Sequence, residues 1–265
     1  MTPAGTPLIT LLTDFGVGSP YVAQMKGVIL GINPQATLVD VTHAIGPQNI
    51  AEGTWALLDV AESFPPGTIH VAVVDPGVGS NRQLIYAEIG GGRYIAPDNG
   101  LLGRLAARTT PFRIVALTEP RFWRPSVSNT FHGRDIMAPV AARLSLGLEP
   151  DQLGPRLAEL RQLSGTEVSI LANRIDGSIR SIDSFGNLVT DVTAEMLSGV
   201  PTDERAQIIC DEHETQGIFK TYADQPAMTL MALVGSSGFL ELAIVDDSAA
   251  IMLGVRVGTP VTIKW

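Results

Sequence analysis

With 265 residues, 45% hydrophobic and 17% charged, the chain can bury a sizeable core, which excludes an extended disordered polymer. A net charge of −9 with no basic run excludes duplex nucleic acid as a natural partner. Cys210 is the single cysteine, so one chain can build neither a disulfide nor a cysteine-ligated zinc site, and it reads as a small buried hydrophobe. No apolar run reaches the roughly 18 residues that would suggest a membrane span. Met1-Thr2-Pro3-Ala4-Gly5 lacks a basic segment leading into an apolar core, so the expected location is cytoplasmic.

Leu8 to Thr13 reads as the first strand, ending at Asp14-Phe15-Gly16. Ser19-Pro20 predicts an N-cap and a first helical position. The helix that follows carries Tyr21, Met25, Val28, Ile29 and Ile32 as its core stripe, and Asn33-Pro34 stops it. Thr37 to Thr42 is a second strand leading into His43. Pro47 to about Phe64 is a second helix. Pro65-Pro66-Gly67 ends it, and Thr68 to Val74 is a short β-branched strand of the kind that lies inside a sheet. Strand and helix alternating in this way imply parallel pairing through right-handed crossovers. Asp14, Asp40 and Asp75 then fall near the carboxyl ends of three strands, the edge where open α/β sheets bind ligands. The other reading of these carboxylates is that Asp is common in strand-end loops.

The turn after the third strand, Asp75-Pro76-Gly77-Val78-Gly79-Ser80-Asn81-Arg82, brings a carboxylate and a guanidinium together. Read alone, it is a candidate site or a solvated turn with a surface ion pair. Beyond it, Leu84 to Glu88 and Arg93 to Ala96 flank Gly90-Gly91-Gly92 as a hairpin. Pro97-Asp98-Asn99-Gly100 is a turn, Leu101 to Ala107 a short helix, and Phe112 to Leu117 a strand. The loop Ser126 to Gly133 delivers His132, Arg134 and Asp135 to a helix with Ile136, Val140 and Leu144 on one face. Arg156 to Leu163 is expected to be a connecting helix, with the domain boundary near residues 155–166. From about Thr166 onward short strand-like runs recur, separated by Asp176-Gly177, Phe185-Gly186-Asn187 and Gly235-Ser236-Ser237-Gly238. The expected architecture is therefore an α/β domain over residues 1–160, with a mostly parallel sheet flanked by helices. A small, barrel-like all-β domain follows over residues 166–265.

Several familiar motifs are missing. There is no G-x-x-x-x-G-K-[ST], no complete G-x-G-x-x-G after the first strand, and no G-x-S-x-G. His43, His70, His132 and His213 have no metal-motif spacing, and His70, inside the third strand, reads as structural.

Taken together, a set of blocks resembles the S-adenosyl-L-methionine hydroxide adenosyltransferases, relatives of fluorinases and chlorinases. They are Thr13-Asp14-Phe15-Gly16, Tyr21 to Gly27, Val74 to Gly79, Ala96 to Leu102, Asn129 to Asp135, Asp183 to Asn187 and Gly235 to Gly238, in order across nearly the whole chain. The resemblance implies hydrolysis of S-adenosyl-L-methionine to adenosine and L-methionine by attack of water or hydroxide on the ribose C5′. It implies a homotrimer whose active sites lie between the N-terminal domain of one subunit and the C-terminal domain of the next. The family's catalytic set falls on Asp75, Arg82 and His132. Substrate contacts fall on Asp14 (ribose), Phe185 and Asn187 (adenine), and Asp183, Ser236 and Ser237 (methionine), with Tyr21, Asn99 and Glu241 further substrate-binding positions. S-adenosylmethionine is the substrate, and neither a cofactor nor a metal is expected.

Halogenating relatives carry Tyr at the position of Asp75 and lack the Arg–His pairing. A carboxylate there would repel a halide, which favours water. In those relatives an Asp before the Pro-Tyr of the first helix helps hold the methionine ammonium. Here that residue is Ser19, which reads as the helix N-cap or a weaker ligand contact. Within the trio, Arg82 and His132 would orient the water, with Asp75 holding Arg82 or accepting a hydrogen bond from the water. His132 has an ordinary pKa suited to acid–base work. The alternatives are a binding module for S-adenosylmethionine or adenosine with little catalysis, and a halogenase.

Overall fold

The computed structural model of the chain describes residues 7–163 and 168–265. The chain forms two compact units that divide between residues 164 and 165. The expected boundary overlaps residues 164–167, and the leader reading concerned Met1–Gly5; both stretches lie outside the described residues. Among the described residues, no helix is long and apolar enough to cross a membrane.

In the first unit, strands β1 (Leu8–Thr13), β2 (Thr37–Thr42), β3 (Ile69–Val73), β4 (Leu84–Ile89), β5 (Gly92–Pro97) and β6 (Arg113–Ala116) form one sheet, in the order β2-β1-β3-β5-β4-β6. Pairs β1–β2, β1–β3 and β3–β5 are parallel, with Ile9 beside Leu38 and Ile69, and β4 runs antiparallel to its neighbours. Every residue of β3 is buried, as a central strand covered on both faces requires. Helices α1 (Pro20–Ile32) and α4 (Ala138–Ser145) cover one face, where Met25, Ile29, Val140 and Leu144 pack on Ile9, Leu11, Val71 and Val73. Helix α2 (Ile50–Ala61) approaches through Gly53, where a Cβ would meet Val74 and Leu101 at 3.0 Å. Helix α3 is Gly103–Arg108.

Two expectations for this unit are corrected. On α1 the buried stripe is Val22, Met25 and Ile29, while Tyr21 is 51% exposed. The helix expected over Arg156–Leu163 does not form. Residues 155–157 instead lie extended along β6, with Ala116 N–H donating to the Pro155 carbonyl and Leu157 N–H to the Ile114 carbonyl. β6 is an edge strand, and these bonds satisfy polar groups it would otherwise leave open.

The second unit contains β7 (Ser169–Leu171), β8 (Arg174–Ile182), β9 (Leu188–Thr193), β10 (Gln207–Cys210), β11 (His213–Gln216), β12 (Ile218–Phe219), β13 (Leu230–Val234), β14 (Phe239–Ile244) and β15 (Pro260–Lys264). Their order is β11-β10-β15-β8-β9-β14-β13-β12, with β7 paired to β8. The sheet curls nearly into a barrel, and the Thr215 hydroxyl of β11 donates to the Leu230 carbonyl of β13 at 2.8 Å. Inside lie Ile175, Ile179, Leu188, Val192, Ile208, Leu240, Leu242, Val261 and Ile263, together with Cys210. Strand β11 and helix α5 (Ala249–Leu253) were not foreseen. The helix is capped by Ser248 and closed by Gly254 in the left-handed region.

Candidate active site

The Asp75 turn is built from its own backbone. Val78 N–H donates to the Asp75 carbonyl, Ser80 N–H to the Gly77 carbonyl, and the Ser80 hydroxyl both donates to Gly77 and accepts Arg82 N–H. Gly79, at φ +81°, lies so close to the His132 loop that a Cβ would stand 2.6 Å from the Asn129 carbonyl oxygen. This packing brings three distant residues into contact. Arg82 Nε donates to Asp75 Oδ1 and Oδ2 at 3.0 Å each, and Nη2 donates to Oδ2 at 2.6 Å. The same Nη2 donates to His132 Nδ1 at 2.7 Å. Both charged side chains are over nine-tenths buried, so the solvated surface pair is not what forms.

That last bond fixes the chemistry of the imidazole. A guanidinium only donates, so Nδ1 must be the unprotonated nitrogen, and the neutral ring carries its proton on Nε2. Burial, and then the neighbouring Arg82, hold the His132 pKa below its usual 6.5 against the opposing pull of Asp75 and Asp135. Beside the trio lies a cavity of about 280 Å³, bounded by Arg82, His132, Leu84, Leu117, Trp123 and Ile136. A water occupies roughly 30 Å³ in the liquid, so the chamber has room for several.

The loop that carries His132 is tied together by Asp135, a residue the sequence reading placed in a motif but gave no role. Its carboxylate is fully buried and accepts from Arg124 Nη1 (2.8 Å), Arg134 Nε (2.7 Å), Arg134 Nη2 (2.9 Å) and Ser128 N–H (2.9 Å). Burial alone would raise its pKa, but these bonds outweigh burial and hold it at about 2. Asp135 therefore closes the loop from Arg124 through His132, which then enters a single π-helical turn over Gly133–Met137.

The other first-unit residues are placed as follows. Asp14 directly follows β1, and its Oδ2 accepts Gln48 N–H at 2.8 Å. Asp40, expected to share that edge, is instead tied to Lys26 Nζ at 2.6 Å and lies 3.1 Å from His43 Nε2, whose Nδ1 meets the Thr13 hydroxyl. Asn99 donates to the Val74 carbonyl at 2.9 Å and accepts Leu101 N–H, which braces the backbone just before Asp75. Tyr21 packs edge-on with Phe15 and Phe131 along a separate cavity of about 360 Å³. Ser19 accepts Tyr21 N–H as the cap of α1. His70 is buried against Tyr94 and held by the Thr10 hydroxyl.

In the second unit, Asp183, Phe185, Asn187, Ser236 and Glu241 line one cavity of about 840 Å³; Ser237 follows Ser236 and is exposed. Asp183 organises its own turn, with Oδ1 accepting from Phe185 N–H and Asn187 N–H and Oδ2 from Asn187 Nδ2, all at 2.9 Å. Phe185 stands 78% exposed at the rim. Sequence reasoning missed Lys220 and Tyr222, which also line this cavity. The one signal available was Thr221-x-x-Asp224, a capping pattern that the structure realises at this turn.

Two family models, for the SAM hydroxide adenosyltransferase N-terminal and C-terminal domains, match residues 9–154 and 177–262. The chain belongs to the SAM hydroxide adenosyltransferase family. Among the similar SAM hydroxide adenosyltransferase relatives is an (R)-S-adenosyl-L-methionine hydrolase of Thermus thermophilus, 34% identical and covering 96% of this chain and 98% of its own. Another of the same name, from Salinispora arenicola, is 36% identical and covers 96% and 97%. A fluorinase of Nocardia brasiliensis is more distant, at 26% identity over 97% of each chain. A solved structure from Thermotoga maritima, of an uncharacterized conserved protein, superposes with a TM-score of 0.92 at 32% identity and covers 97% of this chain and all of that one.

Proposed function

We infer that the chain hydrolyses S-adenosyl-L-methionine to adenosine and L-methionine, with water displacing methionine from the ribose C5′. The observation that carries this reading is the buried hydrogen-bonded line Asp75–Arg82–His132 beside a chamber that can hold water. Relatives that bear the hydrolase name over nearly their full length support it.

The chemistry asks little of the protein beyond position. The C5′–S bond breaks with its electron pair going to sulfur, so the leaving group departs as a neutral thioether and needs no general acid. S-adenosylmethionine thus brings its own activation, and no cofactor is called for. Water must be held in line behind C5′, at roughly 3–3.5 Å. His132, with Nδ1 bonded to Arg82, presents Nε2–H as a donor and orients the water. It cannot take the water's proton on Nδ1 while Arg82 is in place. The acceptor left in the trio is Asp75, whose Oδ1 receives only one bond from Arg82. Its charge also opposes entry of a halide. Asp14 would hold the ribose hydroxyls, Phe185 and Asn187 the adenine, and Asp183, Ser236 and Ser237 the methionine. The resemblance further supports a cytoplasmic homotrimer whose active sites lie between neighbouring subunits.

Chromatography of the protein incubated with S-adenosylmethionine, with and without chloride or fluoride, tests the reading. Adenosine and methionine in every sample are expected. A 5′-halo nucleoside would make it a halogenase, and no product at all would make it a binding module.

A further inference from the structure

Asp14, the carboxylate expected to hold the ribose, is fixed from two sides by one segment, His43–Gln48. On one side Gln48 N–H donates to Asp14 Oδ2 at 2.8 Å. Gln48 lies in the left-handed region, at φ +63°, where a residue other than glycine is strained. The turn that holds it there is braced by Glu52, whose Oε2 accepts Gly46 N–H (3.0 Å) and Asn49 Nδ2–H (2.9 Å). Asp14 Oδ1 accepts from none of the described residues, so one oxygen is anchored and the other is available to a ligand.

On the other side stands His43. Its carbonyl accepts Gly16 N–H at 2.8 Å, and its Nδ1 lies 2.9 Å from the Thr13 hydroxyl. Thr13 is fully buried, and its hydroxyl accepts Phe15 N–H at 3.2 Å. His43 thus holds the chain on either side of Asp14, through its ring and through its backbone. The polarity of this contact is set from outside. Nε2 faces Asp40 Oδ1 at 3.1 Å, and a carboxylate only accepts, so the neutral ring carries its proton on Nε2 and Nδ1 accepts from the Thr13 hydroxyl. Burial would raise the Asp40 pKa, but Lys26, with Nζ at 2.6 Å, and then His43 outweigh burial and keep the carboxylate charged.

We propose that His43 is a positioning residue for ribose recognition: through Thr13 and the Gly16 backbone it sets the Asp14 carboxylate where the 2′- and 3′-hydroxyls of a ribonucleoside are read. Resting on the function inferred above, that ribose is the one in S-adenosylmethionine and in its product adenosine. Reading hydroxyls with a carboxylate requires its oxygens to be held within about 0.5 Å, by neighbours whose own geometry is fixed. The line Lys26–Asp40–His43–Thr13 supplies that rigidity, and it gives a role to charged residues that the displacement at C5′ does not use.

Calorimetry on the full chain with adenosine and with 2′,3′-dideoxyadenosine, which lacks both hydroxyls, tests the assignment. The wild type should bind adenosine about 10- to 100-fold more tightly, the span of one hydrogen bond to a charged group. His43→Leu should lose most of that preference, with adenosine weakened roughly 10-fold and dideoxyadenosine by less than about two-fold. His43→Asn, which keeps an acceptor close to the position of Nδ1, should restore most of it. Should His43→Leu fail to fold, Thr13→Val, which matches the shape of threonine without its hydroxyl, makes the same comparison. Equal losses on both nucleosides would make His43 merely structural and overturn the assignment. So would a preference unchanged in the variant, or a wild type that does not distinguish the two nucleosides. Should the wild type keep the preference yet release no adenosine from S-adenosylmethionine, the hydrolase reading fails, and the variants still decide the role of His43.

Discussion

Around the Asp75 turn every charge has a partner: Arg82 spans Asp75 and His132, and Asp135 is held by Arg124, Arg134 and a backbone N–H. In the cavity of the second unit, Glu241 accepts a hydrogen bond from the Tyr222 hydroxyl, and Lys220 is exposed with no carboxylate in ion-pair distance among the described residues. The first arrangement is complete without a ligand and can hold a neutral molecule such as water in a fixed orientation. The second is left open electrostatically and gains most from a charged ligand. One chain thus keeps positioning apparatus and binding apparatus in different states of charge compensation, and each state can be disturbed separately.

The largest effect is expected at Asp135. Asp135→Ala removes a buried carboxylate that accepts four hydrogen bonds, but Arg124 and Arg134 are partly exposed and stay solvated, so the expected loss is about 1.5–3 kcal/mol, the worth of hydrogen bonds to a charged group. Urea unfolding followed by circular dichroism measures it. A change under about 1 kcal/mol would show that the His132 loop does not depend on this carboxylate.

Next come the members of the trio. Asp75→Ala and His132→Ala should each lower single-turnover rates by roughly 10²-fold or more, with adenosine affinity largely kept. The pH dependence sharpens the point. The folded pKa of His132 lies below 6.5, so the ring stays neutral as pH falls through 6.5 and activity drops only below that, when Nδ1 takes a proton and loses Arg82. The sign for stability agrees. The unfolded imidazole protonates first, so stability from this residue is present above pH 6.5 and declines as pH falls toward the folded value. Asp75 raises the His132 pKa, so in Asp75→Asn the residual acid limb should move to lower pH. A limb that stays at the wild-type position would separate the two residues.

Much of this was legible in the chain before any coordinates. β3 announced itself because four apolar residues around a single histidine, bounded by Pro-Gly pairs, suit a strand buried on both faces. The Asp75–Arg82 contact was legible as one of two readings, because an eight-residue turn shaped by glycines can bring its ends together. His132 was not deducible from spacing, since fifty residues separate it from Arg82; only the family pattern linked them. Asp40 misled because a strand-end carboxylate reads the same whether it faces a cleft or pairs with Lys26 on the preceding helix α1. The expected helix over Arg156–Leu163 failed because edge-strand hydrogen bonding at β6, a tertiary demand, overrode local pattern. Lys220 and Tyr222 escaped notice because isolated polar residues acquire meaning only once β13 and β14 fold a cavity against them.

The smallest effect concerns Ser19, the N-cap of α1. Ser19 accepts Tyr21 N–H at 3.3 Å and caps α1, so Ser19→Ala should cost about 1 kcal/mol of stability and leave kcat unchanged. Ser19→Asp keeps a capping oxygen and places a carboxylate at the N-terminus of α1, where the helix dipole tolerates it. Thermal unfolding should therefore place Ser19→Asp within about 0.5 kcal/mol of the wild type, and a loss as large as that of Ser19→Ala would show that the side-chain oxygen at this position does not cap the helix.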